Sequence, residues 1–162
     1  MTFTFVAVMI VVMTWLSDED YQFIYTRVVR LCVDLVIKNE AGAILLTKRT
    51  IPPQSGTWHL PGGGVRFGET IDQAAARLAT QELGITLRLD TLLGICEMPG
   101  EVMNENDIRH SVSVVYQATI VSGTPTVNTE ASSLSFCTTI PAEIYREHGQ
   151  FLRTHHLLPD AS

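Results

Sequence analysis

Pro61-Gly-Gly-Gly-Val-Arg-Phe-Gly-Glu69-Thr-Ile-Asp-Gln-Ala-Ala-Ala-Arg77-Leu-Ala-Thr-Gln-Glu82-Leu-Gly-Ile85 is the stretch that decides how this chain folds. Three consecutive glycines leave a loop whose backbone amides can approach an anion closely. The loop runs into a helical pattern over Glu69–Leu83. Ile71, Ala74, Ala75, Leu78 and Leu83 fall on one face, and Gly84 stands where a helix stops. Amides at a loop-helix junction can cradle phosphate. A carboxylate further down the helix can hold the Mg²⁺ that screens that phosphate. Positions 78, 81 and 82 share a face, since side chains three and four apart are neighbours. Only Glu82 of the three is acidic.

The spacing Gly63-x5-Glu69-x7-Arg77, then Glu82, Gly84 and Ile85, resembles the Nudix box, G-x5-E-x7-R-E-U-x-E-E-x-G-U with U a bulky apolar residue. Leu78 and Gln81 stand where that box usually has glutamates. The full box carries enough carboxylate for two or three divalent ions. With one left, a single Mg²⁺ is expected, Mn²⁺ being the alternative. The resemblance implies an α/β fold, an α/β/α sandwich with a mixed β-sheet and the loop-helix element as catalytic box. It also gives Gly63, Glu69, Arg77 and Gly84 structural roles, the Glu69–Arg77 pair bracing the junction.

Pro61-Gly62-Gly63, Arg77-Leu78 and Glu82-Leu83-Gly84 are similar to the GDP-mannose mannosyl hydrolase branch, which also lacks the two glutamates. The similarity extends over roughly residues 16 to 137. It takes in Ser17-Asp-Glu-Asp-Tyr21, Asp34, Leu46-Thr-Lys-Arg-Thr50 and His110. From it follow the expected site residues. Gly62 (through its carbonyl), Glu82 and Glu130 are candidate metal ligands. Glu82, Glu130 and Arg49 are candidate catalytic residues, Glu130 as ligand or general base. Asp34, Arg49, Arg66 and His110 are candidate substrate contacts. Two positions depart from the branch. Gly64 replaces an arginine that directly follows its Pro-Gly-Gly, and Ala131 replaces a histidine proposed as its base.

The implied function is Mg²⁺-dependent hydrolysis of a nucleoside diphosphate-linked compound, first of all a GDP-mannose-like sugar, to GDP and sugar. One alternative is phosphoanhydride cleavage of ADP-ribose, an NTP or a similar substrate. The other is a degenerate domain that binds a nucleotide without turnover. A homodimer is implied by the relatives, with Trp15 or Tyr21 stacking on a base across it. Trp58 reads as core or as a stacking platform.

Working outward, 162 residues suffice for one domain, expected over residues 13–162. With 46% hydrophobic and 17% charged residues the chain is globular. A net charge of −6 with no Lys/Arg run argues against a nucleic-acid polymer as partner. Three widely spaced cysteines show no zinc spacing and suit a reducing, cytoplasmic compartment. Residues 1–12 are uncharged and apolar, without the basic start of a signal peptide. The apolar run ends at Leu16, short of the roughly 18 residues a membrane span needs. Residues 1–12 are read as preceding the true start, with a weak membrane anchor, an added strand or an oligomer contact as alternatives; no stable membrane insertion is expected.

Further elements are expected as follows: a helix over Asp18–Ile24 capped by Ser17, strands over Val28–Ile37, Ala43–Lys48, Trp58–Leu60, Thr86–Glu97, Arg109–Val121 and Leu134–Thr138, and a helix over Pro141–His148. Met98–Ile108 is read as a loop.

Overall fold

The run Cys32-Val-Asp-Leu-Val-Ile37 is buried on both faces, and the rest of the fold is arranged around it. The computed structural model describes residues 16–127 and 131–161. In chain order it contains α1 (Asp18–Tyr25), β1 (Arg30–Ile37), β2 (Ile44–Arg49), β3 (Trp58–His59), β4 (Gly62–Gly64), α2 (Ile71–Leu78), β5 (Thr86–Asn104), β6 (Asp107–Ser122), β7 (Ala131–Cys137) and α3 (Arg146–Thr154).

Side chains alternate across a strand, and β1 uses both sides. Val33, Leu35 and Ile37 pack with Ala74, Ala75 and Leu78 of α2. Val36 packs in a second cluster with Phe151 and Leu152 of α3. Sheet between helical layers is thus the direct result of an apolar run with no polar face, Asp34 excepted. A strand buried on both faces is typical of parallel pairing, and β1 runs parallel to β6 from Arg30↔Ser111 to Ile37↔Ala118. Its other edge pairs antiparallel with β4, Cys32 opposite Gly64 and Asp34 opposite Gly62.

The strands form two sheets rather than one, ordered β4-β1-β6-β5 and β3-β2-β7. Trp58 packs against the α3-side core, the plainer of its two readings. Among the described residues no helix is long and apolar enough to cross a membrane. Residues 1–12 and Trp15 lie outside the described residues.

Three boundaries differ from expectation for identifiable reasons. The box helix starts at Ile71, because Thr70 caps it: its hydroxyl accepts from Gln73 N at 3.2 Å, and Gln73 Oε1 accepts from Thr70 N at 2.9 Å. The helix continues as a π turn over Ala79–Leu83 and stops at Gly84, in the left-handed region at φ 66°. Met98–Ile108 is mostly strand. Pro99 and Gly100 signal a break, but β5 absorbs them at a register shift between Pro99 and Glu101, with Gly100 at φ 74°. The last helix starts only at Arg146. A turn at Ala142 and Glu143 leads into a bridge between Ile144 and Trp58, Trp58 N donating to Glu143 O and Tyr145 N to Trp58 O, each at 2.7 Å.

Candidate active site

Gly62, Gly63 and Gly64 each face a different neighbour. A Cβ on Gly62 would lie 2.3 Å from Val33 O and 2.3 Å from Asp34 Oδ1, so β4 can lie against β1 only with glycine here. A Cβ on Gly63 would meet Leu78 Cδ2 at 3.0 Å and Glu82 Oε1 at 3.7 Å. The loop therefore rests on the helix next to the Glu82 carboxylate. The π turn carries Glu82; such turns are frequent at functional sites.

Glu69 sits before the helix, which lets its carboxylate turn back. Arg77 Nε and Nη2 donate to Glu69 Oε1 and Oε2 at 2.6 and 2.8 Å. Glu69 Oε2 also accepts from Arg66 N at 2.9 Å, and Arg77 Nη2 donates to Gly64 O at 2.9 Å. This two-pronged pair ties loop to helix at both ends. The Arg77 hydrogen bonds hold the Glu69 carboxyl below its ordinary range.

Above the loop lies a cavity of about 570 Å³. Gly62, Gly63, Gly64, Arg66, Arg77, Leu78, Gln81 and Glu82 form one side. Asp18, Tyr21, Arg30, Glu101, Met103 and Arg109 form the other, and Arg49, Ile51, Pro52 and Pro53 close it. Five of the chain's 11 lysines and arginines line this space, in a chain of net charge −6. Asp18, Glu82 and Glu101 line it too, which leaves the lining net positive in a chain that is acidic as a whole, and net positive charge draws in an anion. Arg49 donates to Ile51 O at 3.3 Å and Pro52 O at 2.9 Å. No carboxylate among the described residues lies within ion-pair distance of it. Burial pushes its pKa down, as expected for a guanidinium awaiting a counter-charge.

The cavity brings together Gly62, Gly63, Arg49, Arg66, Arg77 and Glu82 of the sequence candidates. Asp34 and His110 do not line it. Asp34 is 5% exposed and accepts from His148 Nε2 at 3.1 Å. His148 Nδ1 accepts from Leu60 N at 3.0 Å, which fixes the tautomer with the proton on Nε2. The carboxylate expected to reach substrate is thus tied into the interior beside α3. His110 is exposed on β6 opposite Pro99, on the face away from Arg109 and Ser111. Glu130 lies outside the described residues. Its neighbour Ala131 lines a recess of about 30 Å³ with Thr47, Arg49, His59, Gly62 and Glu82.

Arg30, Glu101 and Arg109 were not among the sequence candidates. Glu101 is 8% exposed; Ser111 Oγ donates to its Oε2, and Tyr145 Oη to its Oε1 at 3.0 Å. The alternation Glu101/Met103 against Arg109/Ser111 could have revealed this face, but Pro99-Gly100 disguised the strand carrying it.

His59 sits beneath the site with both ring nitrogens engaged. Nδ1 donates to Leu60 O at 2.7 Å, so Nε2 accepts from Thr47 Oγ1 at 3.1 Å. Burial, chiefly, pushes its pKa from 6.5 down to about 3. Below about pH 6.5 the unfolded chain takes up a proton that the native ring refuses, so this contribution favours unfolding as pH falls. Its slope approaches about 1.4 kcal/mol per pH unit below about pH 5.5. Urea unfolding between pH 4.5 and 7 should show that slope in the native chain and its loss in His59→Gln. Equal slopes in both chains would contradict the buried neutral ring.

The oxygen donors on the loop side suit a hard divalent cation shared with substrate phosphate. Among the described residues no three His, Cys, Asp or Glu side chains converge as a metal cage. Mg²⁺ needs none, since one or two carboxylates, water and substrate phosphate commonly complete its shell.

The sequence pattern of the NUDIX domain matches residues 28–154. The chain belongs to the Nudix hydrolase family. It is 31% identical over 123 residues to the low-salt glycan biosynthesis protein Agl8 of Haloferax volcanii, covering 75% of this chain and 78% of that protein. It is 32% identical over 105 residues to an ADP-ribose pyrophosphatase of Methanocaldococcus jannaschii, covering 64% of this chain and 59% of that one. The crystal structure of the MutT NUDIX hydrolase from Burkholderia pseudomallei superposes with a TM-score of 0.68 at 32% identity, over 78% of this chain and 97% of that chain. The mixed α/β architecture of this Nudix domain is shared with these neighbours, and Nudix hydrolases act on nucleotide-containing substrates.

Proposed function

We propose that this Nudix domain hydrolyses a nucleoside diphosphate linked to a second group, a GDP-mannose-like sugar being the first choice, with Mg²⁺ or Mn²⁺ as cofactor. The observation that carries this reading is the cavity, where the glycine loop and Glu82 face an arginine-rich wall around space for a nucleotide-sized ligand. Glu82, the Gly62 carbonyl and Glu130 would hold the metal. When bound, the metal would offset diphosphate charge and make bound water more acidic. Arg49, already oriented by two backbone carbonyls, donates to diphosphate oxygens and stabilises the departing anion. The Glu69–Arg77 pair keeps the loop amides in place. Glu101 is committed to Ser111 and Tyr145, and Glu130 is proposed either as that third metal ligand or, in its place, as the general base.

A second reading is attack at phosphorus. Similarity to the ADP-ribose pyrophosphatase of Methanocaldococcus jannaschii favours it. So does the placement of Asp34 and His110, two substrate contacts that the resemblance to the mannosyl hydrolase branch implied, outside the cavity lining.

Hydrolysis of GDP-mannose, GDP-glucose, ADP-ribose and the NTPs in ¹⁸O water, with product mass analysis, separates the two. Label in free sugar beside unlabelled nucleoside diphosphate supports attack at carbon. Label in a phosphate product supports attack at phosphorus. Tight nucleotide binding with no turnover of any compound would replace both by a non-hydrolytic binding domain.

A further inference from the structure

Arg30 opens β1 and enters the cavity beside the glycine loop. Its Nε donates to Ser111 Oγ at 3.1 Å, and its Nη1 to Tyr21 Oη at 2.7 Å. Glu101 Oε2 lies 3.9 Å from Nη2, near enough to attract and too far to accept a hydrogen bond. A guanidinium has five N–H donors. Two of Arg30's are used among the described residues, and the side chain keeps 19% of its surface open. Its remaining donors are available to an acceptor in the cavity. Arg109 spends as many donors but on a carboxylate, its Nε and Nη2 both going to Asp107, which offsets its charge. It lies 4.8 Å from the centre of the Tyr21 ring, and so steadies the residue that holds Arg30.

Gly64 is the loop residue next to Arg30. It has no left-handed φ, and a Cβ on it would stand 3.9 Å from Arg30 Cδ, an ordinary contact. Gly64 is therefore not required by the backbone. Position 64 lies directly beside the Arg30 stem. Position 64 is also where the resembled branch carries an arginine in sequence.

We propose that Arg30 is a diphosphate-binding residue, delivering from β1, beside Gly64, the guanidinium that could otherwise project from position 64. This deepens the nucleoside diphosphate reading and rests on it. The fork is planar and held from Nε and Nη1, so little rotamer freedom is left to lose when a phosphate oxygen arrives.

The test is calorimetric binding of ADP, GDP and UDP, each with Mg²⁺, and of the matching nucleosides, to the full chain. The variants are Arg30→Ala, Arg30→Lys, Arg30→Ala/Gly64→Arg and Arg30→Ala/Glu101→Gln. The last keeps the comparison clean if Arg30→Ala alone unfolds, since it also removes the carboxylate left without its cation. The expected result is a loss of about 10- to 100-fold in diphosphate affinity for Arg30→Ala. Nucleoside affinity should be unchanged, Arg30→Lys intermediate, and affinity partly restored by arginine at 64. Native-like diphosphate binding in Arg30→Ala would overturn the assignment while leaving the nucleotide reading in place. Equal losses for nucleoside and diphosphate, in Arg30→Ala or in the double variant with Glu101→Gln, would make Arg30 a structural residue and overturn it too. If the native chain binds no nucleoside diphosphate, both readings fall together.

Discussion

Replacing Glu82 by glutamine should lower kcat on the preferred nucleotide substrate by about 10³-fold, with little change in melting temperature. Glutamine keeps the shape of the side chain but not its charge. Glu82 is the only acidic residue on the 78, 81, 82 stripe. Several kcal/mol of metal-assisted charge stabilisation depend on it under the proposed mechanism, and each 1.4 kcal/mol is tenfold in rate. Its position supports a large kinetic effect and a small structural one. It is half-buried on the cavity side of the π turn, outside both core clusters. Steady-state kinetics over a Mg²⁺ titration is the check. Full activity at saturating Mg²⁺ would move the metal-holding role to another carboxylate. If the domain binds without turnover, the substitution should weaken only Mg²⁺-assisted nucleotide binding.

The second large effect is on stability. Gly62→Ala should destabilise the fold by about 4 kcal/mol or more, the range reserved for severe packing faults. The new methyl group would stand 2.3 Å from Val33 O, part of a β-strand backbone that cannot step aside as a flexible side chain can. At this chain length the melting temperature should drop by roughly 10 °C. Gly42→Ala is the informative control. Gly42 has φ 80° and nothing within 4 Å of an added Cβ, so it should lose only about 1–2 kcal/mol from the left-handed backbone. Thermal melts of the two variants separate steric from conformational cost. Equal shifts would mean that β4 can slide away from β1.

Much of the architecture could be read directly from local patterns. β1 was visible as an uninterrupted apolar run, α1 from its Ser17 cap, and the glycine loop from its composition. Helical spacing also placed Leu78, Gln81 and Glu82 on a common face, and all three line the cavity. What was hidden depended on long-range partners. Asp34 reads as a cleft residue because nothing in its neighbourhood announces His148, 114 positions away. Glu101 and Arg109 were hidden because a proline and a glycine in sequence outweigh the hairpin register that carries the chain past them. Pro141 offered a plausible first helical residue, yet the chain turns at Ala142 and Glu143 and bridges to Trp58 through Ile144 before the helix begins. Local propensity gave way wherever a backbone partner from a distant segment was available.

The parallel alignment of β1 with β6 also governs how the chain must come into being. Ser111, which steadies Arg30, is made 81 residues after it. Through most of synthesis, β1 has apolar side chains on both faces and one edge without its partner. Contacts of such large sequence separation form slowly. A ribosome-bound chain ending before β6 therefore presents a long, sticky ribbon, in the condition that invites aggregation. A chain cut before Asp107 should therefore not be a weaker protein with a roomier pocket but an insoluble one, because β1 would never meet the partner that covers its edge.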